Sequence, residues 1–298
     1  MQRNKKILKG LNQDEYEHPF DKKALDTLES TPGLNVIGSF ITKHTIERVC
    51  MVQYTGSYLK ITKDNYPKIY EYLDYAAQIL DLEHKPELYM QWGYNINAFT
   101  IGSENPIIVL NSGLVDLCTE DEILFIIGHE CGHIKSNHML YHMMASMINK
   151  IIDLIPGGDF VAFPLQYALY YWNRMSEFTA DRAGLLCCQN PQAAVTAFMK
   201  MAGTPISEFN NLHTETFLEQ ARNFKGLDEK NINKVIKIIS IAEASHPWIV
   251  MRASELLKWQ DEGLYDALLK KGRKPLAIGP VTKQKSKMNI GTVTQSDN

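Results

Sequence analysis

No run in this chain is long and apolar enough to cross a bilayer, which takes about 20 mostly apolar residues. The nearest candidate, residues 148–170, carries Asn149, Lys150, Asp153 and Asp159, with Pro156-Gly157-Gly158 in its middle. It reads as two amphipathic helices joined by a turn, so integral membrane association is not expected. The basic start, residues 1–11, lacks the apolar core of a secretory signal. Cysteine is scarce: Cys50, Cys118, Cys131, Cys187 and Cys188 are odd in number and contain no CxxC pair. They suit reduced, buried thiols in a cytoplasmic protein. Positive charge is not in excess. With 31 Lys and Arg against 34 Asp and Glu, the net charge is -3, and nothing argues for nucleic-acid binding. No internal repeat is visible. What is left is a globular composition, 45% hydrophobic, sufficient for a sizeable core.

Within that composition the segment Gly128-His129-Glu130-Cys131-Gly132-His133 stands out. It is an HExxH motif preceded by the apolar run Ile123-Leu124-Phe125-Ile126-Ile127. Residues four apart share a helical face, so His129 and His133 can aim two imidazoles at one point. Glu130 projects beside them, where a carboxylate can take a proton from a metal-bound water. The alternative is a core helix with two unrelated histidines. Burial argues against it, because a charged Glu130 on an apolar helix is costly unless paired.

A catalytic zinc site keeps three protein ligands and an open fourth position. The HExxHxxGxxH pattern does not supply the third here: Ser136 and Met139 occupy its Gly and His slots, and His138 is one residue short. His138 and His142 are expected on other faces of the same helix. The remaining solution is a Glu from a later helix, and Ser176-Glu177-Phe178-Thr179-Ala180-Asp181 offers one. Glu177 and Asp181 are four apart and share a face. Glu177 can complete a His2Glu site, while Asp181 can accept the second N–H of a zinc-bound imidazole and fix its tautomer. By itself, the pair reads more readily as two acids on a surface helix; the preceding HExxH makes Glu177 the favoured third ligand.

A third cluster, Ser245-His246-Pro247-Trp248 to Arg252, lies further on. Pro247 biases His246 away from helical geometry, so His246 sits at a loop–helix junction. From there it can hydrogen-bond an oxyanion, or simply cap or pack. Arg252, on the following helix, can hold a carboxylate in a bidentate pair.

In this order HExxH, ExxxD and HPxxxxR resemble the HtpX-like zinc metallopeptidases, the group that includes the CAAX prenyl proteases. The upstream segments Asn95 to Gly102 and Pro106 to Leu114 are similar to the strand pair that precedes that family's active-site helix. The resemblance covers roughly residues 86–260. It implies one zinc ion per chain, held by His129, His133 and Glu177, with Glu130 as general base. It also implies places near the site for Asp181, His246 and Arg252. The absence of a spanning segment sets this chain apart from the membrane members and argues against a prenyl-protein substrate.

The expected fold is α+β and mainly helical, zincin-like, with an active-site helix and a small antiparallel sheet. Strands are expected at Leu88 to Trp92, Ala98 to Ile101 and Ile107 to Leu110, rich in β-branched and aromatic residues. An exposed strand edge can bind an extended peptide through its main chain, with Asn97 and Ala98 as the substrate-contacting point. A sheet that merely covers the helix is the alternative. Helices are expected over 20–29, 64–82, 191–202, 214–224, 228–244 and 249–261. Residues 1–85 read as an accessory region, 86–271 as the metallopeptidase domain and 272–298 as a flexible tail. The expected activity is metalloendopeptidase action on peptides or unfolded proteins. The rival reading is a zinc-binding scaffold that holds extended peptides without cutting them.

Overall fold

The computed structural model describes residues 5–43, 46–152, 159–224 and 248–271. The N-terminal part forms α1 (Pro19–Glu29), α2 (Leu34–Lys43), α3 (Ile46–Ser57), β1 (Leu59–Ile61) and α4 (Pro67–Ile79). Then come β2 (Glu87–Gln91), β3 (Ala98–Ile101), β4 (Ile107–Asn111) and the short α5 (Ser112–Leu117). The remainder is helical: α6 (Glu120–Lys135), α7 (Met139–Ile152), α8 (Asp159–Cys188), α9 (Pro191–Met201), α10 (Thr214–Arg222), α11 (Ile249–Asp261) and α12 (Leu264–Lys270). The mainly helical α+β class holds. The helix expected over 228–244 and the tail from 272 lie outside the described residues.

The sheet differs from expectation. It has four strands in the order β1-β2-β4-β3, and it is mixed rather than antiparallel. β1 and β3 run antiparallel to their neighbours, but β2 and β4 are parallel, from Glu87↔Ile107 to Gln91↔Asn111. The cause lies in the two connections. The turn from Gly102, at φ 94°, to Pro106 folds β3 tightly back on β4. Residues 92–97 instead carry the chain past the vacant position beside β2, leaving β3 at the sheet's edge. β1 had no clear signal, being only three residues long.

Helix α6 runs through the middle of the molecule. Every residue from Glu122 to His133 is buried, so it is apolar nearly all round rather than amphipathic. Leu124, Phe125 and Ile127 each contribute about 1.5–3 kcal/mol by burial. Its N-terminus is closed by Glu122, whose carboxylate accepts the Thr119 N–H at 2.6 Å and the Lys200 ammonium at 2.8 Å. α8 crosses α6 at very close range. A Cβ on Gly128 would meet Cys187 Cβ at 2.5 Å, one on Gly132 would meet Ala183 Cβ at 2.5 Å, and one on Gly184 would meet the Phe125 carbonyl at 2.7 Å. These three glycines let the two helix backbones approach, and this contact brings their polar residues together.

Candidate metal centre

His129 and His133 lie one turn apart on α6 and face α8, where Glu177 meets them. The two Nε2 atoms are 3.1 Å apart. Glu177 Oε2 is 3.5 Å from His129 Nε2, and Oε1 is 3.4 Å from His133 Nε2. Tetrahedral ligands about 2.0–2.1 Å from a zinc ion stand roughly 3.3 Å from one another, so this triangle of residues, in which each imidazole meets a different carboxylate oxygen, has spacings close to those of one zinc ion's ligands. All three residues are buried, and each offers a ligand atom within 4.8 Å of the others. Two neutral imidazoles and one carboxylate are also the donor types zinc prefers. Burial pushes His133 down to about 3, outweighing the opposing pull of Glu177, so its ring is neutral and one ring nitrogen keeps a lone pair for a metal.

Glu130, on the next position of α6, is held from the sheet. Thr100 Oγ1 donates to its Oε2 at 2.7 Å. Thr100 escaped the sequence reading, although a signal existed. Ala98 and Thr100 share one face of β3 by strand alternation, the face turned to α6, while Phe99 and Ile101 point into a separate cluster with Tyr54.

Asp181, one turn beyond Glu177, lies 3.0 Å from His129 Nδ1. Arg252 on α11 grips the same carboxylate in a fork, Nε to Oδ2 at 2.8 Å and Nη2 to Oδ1 at 2.5 Å, and its Nη1 is 3.2 Å from Glu177 Oε2. Burial would raise the Asp181 carboxyl, but the guanidinium's charge and hydrogen bonds and those of His129 hold it below its usual range. A charged Asp181 requires the His129 proton on Nδ1, which leaves Nε2 bare toward the triangle. Arg252 Nη2 also approaches Nδ1 to 3.3 Å, which with that tautomer is two donors sharing one acceptor oxygen.

Asn97 is exposed and Ala98 buried at the start of edge strand β3, and the Asn97 carbonyl accepts the Asn111 N–H at 3.0 Å. His246 lies outside the described residues. Cys131 is fully buried on the far side of α6 and its thiol is pushed up by burial, which suits packing. His138 and His142 do not extend α6, contrary to expectation. The helix stops at Lys135, and Asn137 takes a left-handed φ of 56°. The His138 N–H then bonds the His133 carbonyl at 3.0 Å and the Asn137 N–H bonds that of Ile134 at 3.1 Å, the paired bonds of a Schellman turn. The reversal lays His138 back over His133 and puts His142 on α7.

An HExxH helix packed against a second helix that returns a glutamate to the same point defines a metallopeptidase. The profile of Peptidase family M48 matches residues 64–260. The chain therefore belongs to family M48, as an HtpX-like zinc metallopeptidase. It is 31% identical to the Plastoglobule-localized metallopeptidase 48, chloroplastic, of Arabidopsis thaliana, over 92% of this chain and 80% of the relative. It is also 24% identical to Protease HtpX homolog 2 of Methanosarcina acetivorans, over 70% of this chain and 77% of the relative. A Protease HtpX homolog of Moorella thermoacetica is 22% identical over 71% and 78% respectively. No solved structure matches the chain significantly. No helix among the described residues is long and apolar enough to cross a membrane.

Proposed function

We propose that this protein is a zinc metalloendopeptidase acting on extended peptides or unfolded protein, with one zinc ion held by His129, His133 and Glu177. The observation that carries the reading is the triangle of His129, His133 and Glu177, whose nearest donor atoms are 3.1–3.5 Å apart, with Glu130 beside it, braced from the sheet by Thr100. A zinc ion held there supplies Lewis-acid polarisation of water and of the scissile carbonyl. Glu130 takes the attacking water's proton onto its carboxylate and passes it to the leaving amine. Asp181 fixes the His129 ring in the tautomer that leaves Nε2 toward the triangle, and Arg252 keeps Asp181 charged and Glu177 oriented. From its place in the sequence alone, His246 is assigned the oxyanion. The edge of β3, entered at Asn97 and Ala98, is where a substrate strand would pair. Buried free thiols at Cys131, Cys187 and Cys188 favour a reducing compartment, the cytoplasm in the first instance.

The test is digestion of a mixed pool of unfolded peptides, with zinc supplied, by the wild type and by Glu130→Gln. The wild type should cleave internal bonds. The variant should keep its zinc and lose at least about 100-fold in turnover, the usual scale for a general base. Normal turnover by Glu130→Gln would sink the assignment.

A further inference from the structure

His133 has a second ring nitrogen, and it faces away from the triangle. Its Nδ1 lies 3.0 Å from His138 Nδ1. The other nitrogen of His138, Nε2, lies 3.2 Å from Asp21 Oδ2 on α1. Thr179 Oγ1, from α8, donates to that same Oδ2 at 2.6 Å and accepts the His18 N–H at 3.0 Å. His133 and His138 are about 4% exposed, Asp21 1% and Thr179 0%, so these bonds are shielded from bulk solvent. We propose that His138 and Asp21 are positioning residues for the metal centre: a relay, reaching in from the N-terminal helix, that orients His133 as Asp181 orients His129. This rests on the ligand assignment above.

Proton accounting allows one direction through the chain. With Nε2 turned to the triangle, His133 carries its proton on Nδ1 and donates to His138. His138 Nδ1 is then an acceptor, so its proton sits on Nε2 and is donated to Asp21. A carboxylate accepts without donating, and the relay ends there with both rings neutral. A zinc-bound imidazole is typically oriented by an acceptor on its other nitrogen; the residue here is a histidine, itself fixed by an acid one step further out. Among the described residues, the two ligand imidazoles thus have matching supports from opposite sides: Asp181 with Arg252 on α11, and His138 with Asp21 on α1.

The same cluster can be read as a second metal site, because His133, His138 and His142 offer atoms within 4.8 Å of one another. One fact weighs against it. Metal on both nitrogens of His133 would demand an imidazolate bridge.

The experiment is zinc affinity by chelator competition, with metal stoichiometry, on folded wild type, His138→Ala, Asp21→Ala, their double variant, His142→Ala and Glu177→Ala. Relay action predicts about 10–100-fold weaker zinc binding for His138→Ala, the scale for partners of metal ligands. It predicts a smaller loss for Asp21→Ala and none beyond His138→Ala in the double variant, because Asp21 acts only through His138. The d–d bands of the cobalt-loaded protein should shift in His138→Ala and Asp21→Ala but not in His142→Ala. Wild-type affinity in His138→Ala, or losses that add in the double variant, would overturn the relay. So would a second bound equivalent that disappears in His142→Ala. Unchanged zinc binding by Glu177→Ala would instead overturn the ligand assignment, and the relay with it.

Discussion

The proposed general base, Glu130, is met from the sheet by a hydroxyl: Thr100 Oγ1 donates to its Oε2 at 2.7 Å. Hydrogen bonds to charged groups contribute about 1.5–3 kcal/mol. Thr100→Val keeps the branched shape and the strand, and deletes only the donor. It should lower kcat by roughly tenfold or more, since about 1.4 kcal/mol is a factor of ten. Zinc content and KM should stay near wild type. Steady-state kinetics with metal analysis on one preparation decides it, and an unchanged kcat would mean that Glu130 is oriented by other means. At this scale the sequence was readable where spacing alone brings groups together: His129 with His133, Glu177 with Asp181. It was silent where the partner comes from a distant element. Thr100 is 30 residues from Glu130, and Asp21 is far from His138 along the chain.

Elements show the same division between local and non-local causes. Helices α1, α9 and α11 begin and end within a residue or two of the expected spans 20–29, 191–202 and 249–261. α4 is shorter than the expected span 64–82: the helix starts at Pro67 behind Tyr66 and ends at Ile79. The sheet order was not legible, because strand pairing depends on where a connection travels and not on strand composition. The stop after Lys135 was written in the sequence as Asn137, one of the residue types that tolerates the left-handed region, but the histidines around it suggested a longer helix. The decisive element contact is α6 on α8, and its glycines give a test. Gly132→Ala places a methyl 2.5 Å from Ala183 Cβ, so the helices must part. Overpacking of this kind costs about 1–3 kcal/mol. Because His133 follows Gly132 and Glu177 lies across the gap, zinc affinity should fall together with thermal stability. Gly56→Ala in α3 meets nothing within 4 Å and serves as the neutral comparison. Should Gly132→Ala match it in melting temperature, the close approach is not what sets the site's geometry.

On the scale of the whole molecule, the N-terminal segment is joined to α8 and α11 by buried polar bonds rather than by apolar contact alone. Arg182 on α8 donates to the carbonyls of Tyr16 and Glu17 at 3.2 and 2.9 Å. His18 accepts the Phe20 N–H on Nδ1 at 3.1 Å, which caps α1, and donates from Nε2 to Glu255 on α11 at 2.8 Å. Those two bonds use a neutral ring. Burial lowers the affinity of His18 for a proton, the Arg182 charge adds to this, and the Glu255 hydrogen bond offsets only part of it. The unfolded chain, with an ordinary histidine near pH 6.5, therefore binds this proton first. The sign follows: the contribution is complete above about pH 6.5 and is lost as pH falls from there toward the depressed folded value, at most about 1.4 kcal/mol per pH unit. Glu255 acts in the same direction at lower pH. Burial would raise its carboxyl, but the hydrogen bond from His18 holds it below the usual range, so its share is lost as pH falls below about 4.5. His18→Gln can keep a donor to Glu255 without titrating. Urea midpoints of the metal-free protein between about pH 7.5 and 5 should fall more steeply for the wild type than for His18→Gln. Metal is removed so that zinc release does not add its own slope, and the remaining histidines cancel in the comparison. Parallel curves would mean that His18 charges as easily in the fold as out of it. The N-terminal segment would then be held to α8 and α11 by packing and the Arg182 bonds, with the His18–Glu255 contact adding nothing that pH can reach.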